Sequence, residues 1–289
     1  MAKGNDGNYL QHCVEVEAAV HLMRASPNRR LHVALTHGMA PFEQIGDPNG
    51  NAYGLLYRAL REAAGEPKCN EREIVKAYRK SWACQAYDPD ITNLLEELKS
   101  EKHYPNSAEL LRTVIGTHHL SGGITELDEA KHRELATAWT DPGIDVARSS
   151  WRERQRLSQG DTLGCPKHLD APWLFSMDPM TYSETGKSDD ANLHRSDMDR
   201  LARALEGYVD SGQPGIASLF VFSVGSQGEN RQRLFWSFMD ELAGRLRVPT
   251  SSYWVHHQGG NRNLAGLLFS KTKFPDDFVP PCINSGRGV

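Results

Sequence analysis

The chain has 289 residues, 39% hydrophobic and 24% charged, with a formal net charge of −4 at pH 7. That length can bury a substantial core without splitting, so one domain over 1–289 is expected. The composition is that of an ordinary soluble globular protein, and the mild negative charge argues against a protein that coats nucleic acid by charge alone, while a local basic patch stays open.

Five cysteines (Cys13, Cys69, Cys84, Cys165, Cys282) are scattered and never form a CxxC pair. This argues against a disulfide framework or zinc ribbon and for a reduced, cytoplasmic setting. The opening MAKGNDGNYLQH has no apolar stretch of the signal-peptide kind, and no run of about 18 apolar residues exists to span a membrane.

Taken in chain order, residues 9–24 place Leu10, Val14, Ala18 and Leu22 at helical spacing, which predicts a helix entered from a Gly/Asn-rich turn and broken by Pro27. LHVALTH, 31–37, reads as a short buried strand ending at Gly38. Three helical pieces within 51–101 predict an inserted helical subdomain. A helix follows Pro105, then a weak strand at 120–127, a helix at 128–140 and another strand within 144–151. APWLFSMDP, 171–179, is an apolar strand stopped by Asp178-Pro179. Helix 194–210, strand 216–224 and helix 229–246 come next, and the tail from 251 predicts two strands around a glycine-rich turn.

Strands alternating with helices define an α/β fold, a mostly parallel sheet covered on both faces. The tail adds an antiparallel hairpin. In open sheets of this kind ligands bind beyond the carboxyl ends of the strands. Those ends are His37-Gly38, Glu126, Ser149-Ser150 and Asp178-Pro179.

The order of the pieces resembles the RlmJ type of large-subunit ribosomal RNA adenine methyltransferase. The resemblance runs through Gly4-Asn5-Asp6-Gly7-Asn8-Tyr9-Leu10-Gln11-His12, Thr36-His37-Gly38-Met39-Ala40-Pro41, Tyr104-Pro105-Asn106-Ser107, Thr125-Glu126-Leu127 and Asp178-Pro179-Met180-Thr181, spanning about residues 4–270. It implies a Rossmann-like class I methyltransferase fold and S-adenosylmethionine as cofactor. The implied cofactor set is Asn5, His12, His37, Gly38, Ser107, Glu126, Ser150 and Asp178. The implied substrate set is Lys3, Pro179, Met180 and Tyr182, with Asp178 as the catalytic residue.

Each of these also has a plain structural reading. An acid ending a buried strand is costly without a partner. Asp178 either aligns a nucleophile with the S–CH3 bond or begins a turn. Glu126 either accepts from ribose hydroxyls or sits in the first turn of a helix. His12 and His37 are neutral ligand contacts or satisfied core residues. Ser107 contacts the ligand or caps its helix. The terminal arm is folded over the cofactor or disordered. The turn at 256–263 is a substrate loop or a solvated hairpin tip. Paired histidines at 118–119 and 256–257 would face opposite ways on a strand, so no metal is expected.

The sequence departs from the family pattern twice. Met39 and Pro41 stand where the family has glycines, which permit close approach of backbone to ligand. Met180 and Thr181 replace the second proline and the aromatic that stacks on a flipped base, leaving Tyr182 one place late. The substrate is therefore left open between a small molecule and RNA, and the chemistry between methyl transfer to an amine or other nucleophile, cyclisation or lyase chemistry on the sulfonium, and an inactive binding protein that keeps the fold.

Overall fold

The computed structural model describes residues 6–39, 41–44, 103–154, 165–166, 168–185, 192–223, 228–256, 262–270 and 284–285. The helical insertion expected at 51–101, Lys3, Asn5 and the hairpin turn at 257–261 lie outside them.

Helix α1, Asp6–Arg24, starts three residues before the expected onset, so Asp6, Gly7 and Asn8 belong to the helix rather than to a turn. Strand β1, Leu31–Leu35, follows; β2, Phe42–Gln44, then pairs antiparallel with β3, His103–Pro105. Helix α2 is Ser107–Ile115, β4 Leu120–Thr125, α3 Glu129–Ala138, β5 Ile144–Ala147 and α4 Trp151–Arg154. Strand β6, Trp173–Met177, leads to the short parallel pair β7, Tyr182–Ser183, and β8, Leu193–His194. The chain continues through α5, Met198–Asp210, β9, Gly215–Ser223, α6, Gly228–Leu246, β10, Thr250–His256, β11, Arg262–Phe269, and β12, Asn284–Ser285.

The main sheet has eight strands in the order β12-β10-β11-β9-β6-β1-β4-β5. The five strands β9, β6, β1, β4 and β5 run parallel, and β11 joins antiparallel to β9, with β10 antiparallel beyond it. This is the α/β Rossmann-like arrangement with a C-terminal antiparallel pair. From β1 the chain winds out through β4 to β5, then returns across β1 and winds the other way from β6. The winding reverses between β1 and β6, and the crevice beyond the carboxyl ends at such a reversal is where ligands of open α/β sheets bind.

Strand alternation splits the core into two layers. Leu31, Val33 and Leu35 of β1, Leu174 of β6 and Ile216 and Phe220 of β9 meet α1, α2 and α3 through Val14, Ala18, Leu111 and Leu135. On the other face Trp173, Phe175 and Met177 pack with Leu201, Leu205 and Tyr208 of α5 and Phe235 and Phe238 of α6. Burial of this many large apolar side chains, each contributing about 1.5–3 kcal/mol, is what holds the helices to the sheet. On β6, Ser176 alternates with these residues and therefore points to the α1 face. Among the described residues, no helix is long and apolar enough to cross a membrane.

Candidate active site at the sheet switch point

The first wall of the crevice is the loop after β1. The Thr125 hydroxyl donates to Thr36 O at 2.9 Å, and Gly38 N–H donates to Thr125 O at 2.8 Å, tying the loop to the end of β4. A Cβ on Gly38 would meet Leu135 Cδ2 at 2.6 Å and Ile124 Cγ2 at 2.8 Å, so only glycine allows this approach. Met39, where the family pattern has a glycine, adopts φ 57. The left-handed backbone is kept although a side chain makes it costly.

Asn106 fastens the same loop from α2. Its amide donates to Gly38 O at 2.6 Å and Met39 O at 3.2 Å, while its carbonyl oxygen accepts from Glu109 N–H at 2.7 Å as the helix cap. The cap of α2 is thus Asn106, and not Ser107, which was expected to contact ligand or cap. The Ser107 hydroxyl instead accepts from the side-chain amide of Gln11 on α1 at 3.1 Å.

Glu126 stands just beyond β4. Its Oε2 accepts from Met39 N–H at 2.7 Å and its Oε1 from Asp128 N–H at 2.8 Å. A carboxylate offers about four acceptor positions, so Glu126 both holds the loop and retains lone pairs for hydroxyl donors. The next strand end is different. The Ser150 hydroxyl accepts from Arg152 N–H at 3.1 Å, which caps α4.

The second wall is the end of β6. Asp178 N–H reaches His37 Nδ1 at 3.4 Å, and that ring nitrogen lies 2.6 Å from the Thr36 hydroxyl, so the ends of β1 and β6 meet. Asp178 keeps some contact with solvent, yet the crowd of protein atoms around its carboxyl raises its pKa to about 7, and the nearby Glu15 carboxyl adds to the rise. Beyond it Pro179 is buried, whereas Met180 is 45% exposed at the rim, with its carbonyl accepting from Phe222 N–H.

Tyr182 does not take the place of the missing aromatic. It is 4% exposed, packs against Phe235 and Phe238 of α6 and donates its hydroxyl to Glu184. The reason is local: β7 pairs with β8 and turns alternate residues into the α6 core. The preceding Thr181 donates its hydroxyl to Asn192 Oδ1 at 2.7 Å and accepts Leu193 N–H at its carbonyl.

His12 lies within α1, buried, and burial lowers its pKa to about 3, so it is neutral at physiological pH. One turn along is a residue that the sequence reading passed over. Glu15 is 1% exposed; its Oε1 accepts from the Ser176 hydroxyl and from the Gln11 amide at 3.3 Å. Burial raises its pKa to about 7 despite the nearby hydroxyls of Ser107 and Ser176 and the Gln11 amide, which favour the charged form. The signal in the sequence is three polar residues, Gln11, His12 and Glu15, inside one turn of a helix otherwise apolar around them.

The site thus combines a loop held at fixed backbone geometry, an acceptor at the end of β4 and two carboxyls of raised pKa beside the switch point. In such a place a proton acceptor near neutrality can serve acid–base or positioning chemistry. The expected turn at 256–263 is described only at its ends. There Arg262 donates to Gln232 Oε1 and Glu229 Oε1, which binds it to α6.

The fold is α/β and Rossmann-like. No family model matches the sequence, and no curated protein does. Among solved structures the chain is similar to protein LPL1258 from Legionella pneumophila, of family model DUF519, with a TM-score of 0.62 at 11% identity, over 94% of this chain and 87% of that one. A "putative rRNA-methylase" from Clostridium thermocellum aligns over 56% of this chain and 82% of its own at 8% identity, but its TM-score of 0.33 is too low to define a common fold.

Proposed function

We propose that the crevice between the ends of β1 and β6 binds S-adenosylmethionine and that the protein transfers its methyl group to an amine or another nucleophile of a small molecule or RNA. The observation that carries this reading is Asp178, which follows β6 with a carboxyl of raised pKa and whose backbone N–H meets His37 from the end of β1 at the point where the winding reverses. The resemblance to the RlmJ type supports the same placement for His12, His37, Gly38, Ser107, Glu126 and Asp178.

The residues present fit the cofactor. Glu126 has acceptor capacity left for ribose hydroxyls, and Gly38 brings the backbone close. His12 stays neutral and so adds no charge against a sulfonium. The cofactor supplies an activated methyl. Asp178 aligns the nucleophile by accepting its N–H or O–H and takes the proton that transfer releases; near neutral pH its raised pKa suits both duties. Exposed Met180 gives the acceptor an apolar rim.

Incubation with S-adenosylmethionine and candidate acceptors, followed by mass analysis of the nucleoside products, tests this. S-adenosylhomocysteine in the parent, reduced about 10²-fold or more in Asp178→Ala, is the expected result. Methylthioadenosine as the product would replace methyl transfer with cyclisation or lyase chemistry. No binding at millimolar cofactor would reduce the protein to a partner that keeps only the fold.

A further inference from the structure

Glu15 has no part in the mechanism above. Its carboxyl is enclosed, its Oε2 is buried with no hydrogen-bond partner, and the side chains bonded to its Oε1 are neutral. A buried carboxylate without a cation either stays protonated or awaits a positive partner. Ser176, which fixes Oε1, lies near the end of β6, two residues before Asp178, so the Glu15 carboxyl belongs to the carboxyl end of that strand.

The charged and titratable groups on the elements packed against α1 leave Glu15 little else to pair with. On α2, Glu109 and Arg112 bind one another. On β1 and just after it are His32 and His37; His32 is bonded to Tyr208 and held neutral by burial. Arg262 on β11 binds Glu229; on α1 itself His12 is neutral, and the basic His21 and Arg24 stand in the last turn, well beyond Glu15 along the helix. Strand β9 contributes no ionisable side chain. On β6 there is Asp178, which adds negative charge rather than removing it. Among the described residues, no cation is therefore bonded to either Glu15 or Asp178.

We propose that Glu15 is a ligand-binding carboxylate of the crevice, receiving the ammonium group at the amino-acid end of the cofactor on its unpartnered oxygen. The assignment rests on the reading of the crevice as an S-adenosylmethionine site. Of the cofactor's two positive centres only the ammonium carries N–H donors, and a lone acceptor oxygen demands a donor. Asp178 is left for the nucleophile. Because ion pairing requires the charged carboxylate, binding at low pH expels a proton, and affinity rises with pH until Glu15 is ionised.

The test is titration calorimetry with S-adenosylhomocysteine, which has the ammonium, and methylthioadenosine, which lacks the amino-acid end, at pH 6 and pH 8. Glu15→Gln keeps the size and one acceptor oxygen but removes the charge and turns the second acceptor into a donor. It is expected to weaken S-adenosylhomocysteine at least tenfold at pH 8, leave methylthioadenosine within twofold, and flatten the rise in affinity from pH 6 to 8. Glu15→Asp, which keeps the charge on a shorter arm, should fall between. An S-adenosylhomocysteine affinity in Glu15→Gln within threefold of the parent, or an equal loss for both ligands, overturns the assignment of Glu15. A parent protein that binds neither ligand overturns the cofactor reading itself, and Glu15 with it. Thermal unfolding of each variant verifies that a loss of binding is not a loss of fold.

Discussion

Two buried carboxylates in this molecule are treated in opposite ways. Asp197, 1% exposed, is gripped by Arg152 through Nε at 2.9 Å and Nη2 at 2.7 Å, accepts His194 N–H at 2.9 Å and has Arg200 at 3.4 Å. Glu15, equally enclosed, has neutral partners on one oxygen and none on the other. The first is a structural clamp, joining α4 to the turn that leads into α5. The second is a carboxyl for which no described residue supplies a cation. A protein tolerates that cost where something else supplies the compensation, and Glu15 sits beside the crevice.

Breaking the compensated pair should have the largest effect. Arg152→Ala leaves Asp197 buried without its bidentate partner, and a loss of about 3–5 kcal/mol in urea unfolding is expected. A loss below about 1 kcal/mol would show that Asp197 is no better compensated than Glu15.

Glu15→Gln should act in the opposite direction. A carboxyl raised from 4.5 to about 7 on folding stabilises the protein below the unfolded value, and that stability is lost as pH rises through the folded value. At pH 8 the charged group is a liability of about 3 kcal/mol at most. The glutamine variant should therefore melt higher than the parent at pH 8, with the gap closing towards pH 4. A variant that melts lower at pH 8 would mean that Glu15 is compensated after all.

The same charge bears on Asp178. Removing it lowers the Asp178 pKa, since Glu15 contributes to the rise. With saturating cofactor, the acid limb of the pH–rate profile should move to lower pH in Glu15→Gln; an unmoved limb would separate the two carboxyls.

Smaller effects sharpen the contrast between charge and backbone. Asn106→Ala removes both the α2 cap and the clamp on Gly38 and Met39, for about 1–2 kcal/mol in chemical unfolding. Met39→Gly relieves a left-handed residue at the cost of added chain entropy, and a gain under about 1 kcal/mol is expected.

The sheet was legible because its strands are short apolar runs bounded by Gly, Pro and Asp, and the parallel order follows from their alternation with helices. The strand ends were legible too, which is why His37, Glu126 and Asp178 stand at the carboxyl edge as expected. The small pairs β2–β3 and β7–β8 were not, because two or three residues carry no period to read. That is also why Tyr182 looked available to a substrate while its ring belongs to the α6 core.

Glu15 was missed for a different reason. Leu10, Val14, Ala18 and Leu22 mark one apolar stripe of α1, which leaves Glu15 on the side a surface helix turns to water. The helix is instead buried on nearly every side from Gln11 to Ala19, and enclosure on two sides leaves no mark on a single stripe. Likewise the sequence offered Ser107 as a cap, but the side chain that caps and clamps is its neighbour Asn106, whose double role depends on the loop after β1.

A crystal structure with S-adenosylhomocysteine would decide whether the switch-point crevice is the cofactor site. The ligand is expected across the carboxyl ends of β1 and β6, its ribose hydroxyls donating to Glu126 and its amino-acid end near Glu15, Ser107 and His37. A ligand bound elsewhere on the molecule, with Glu126 and Asp178 untouched, would contradict it.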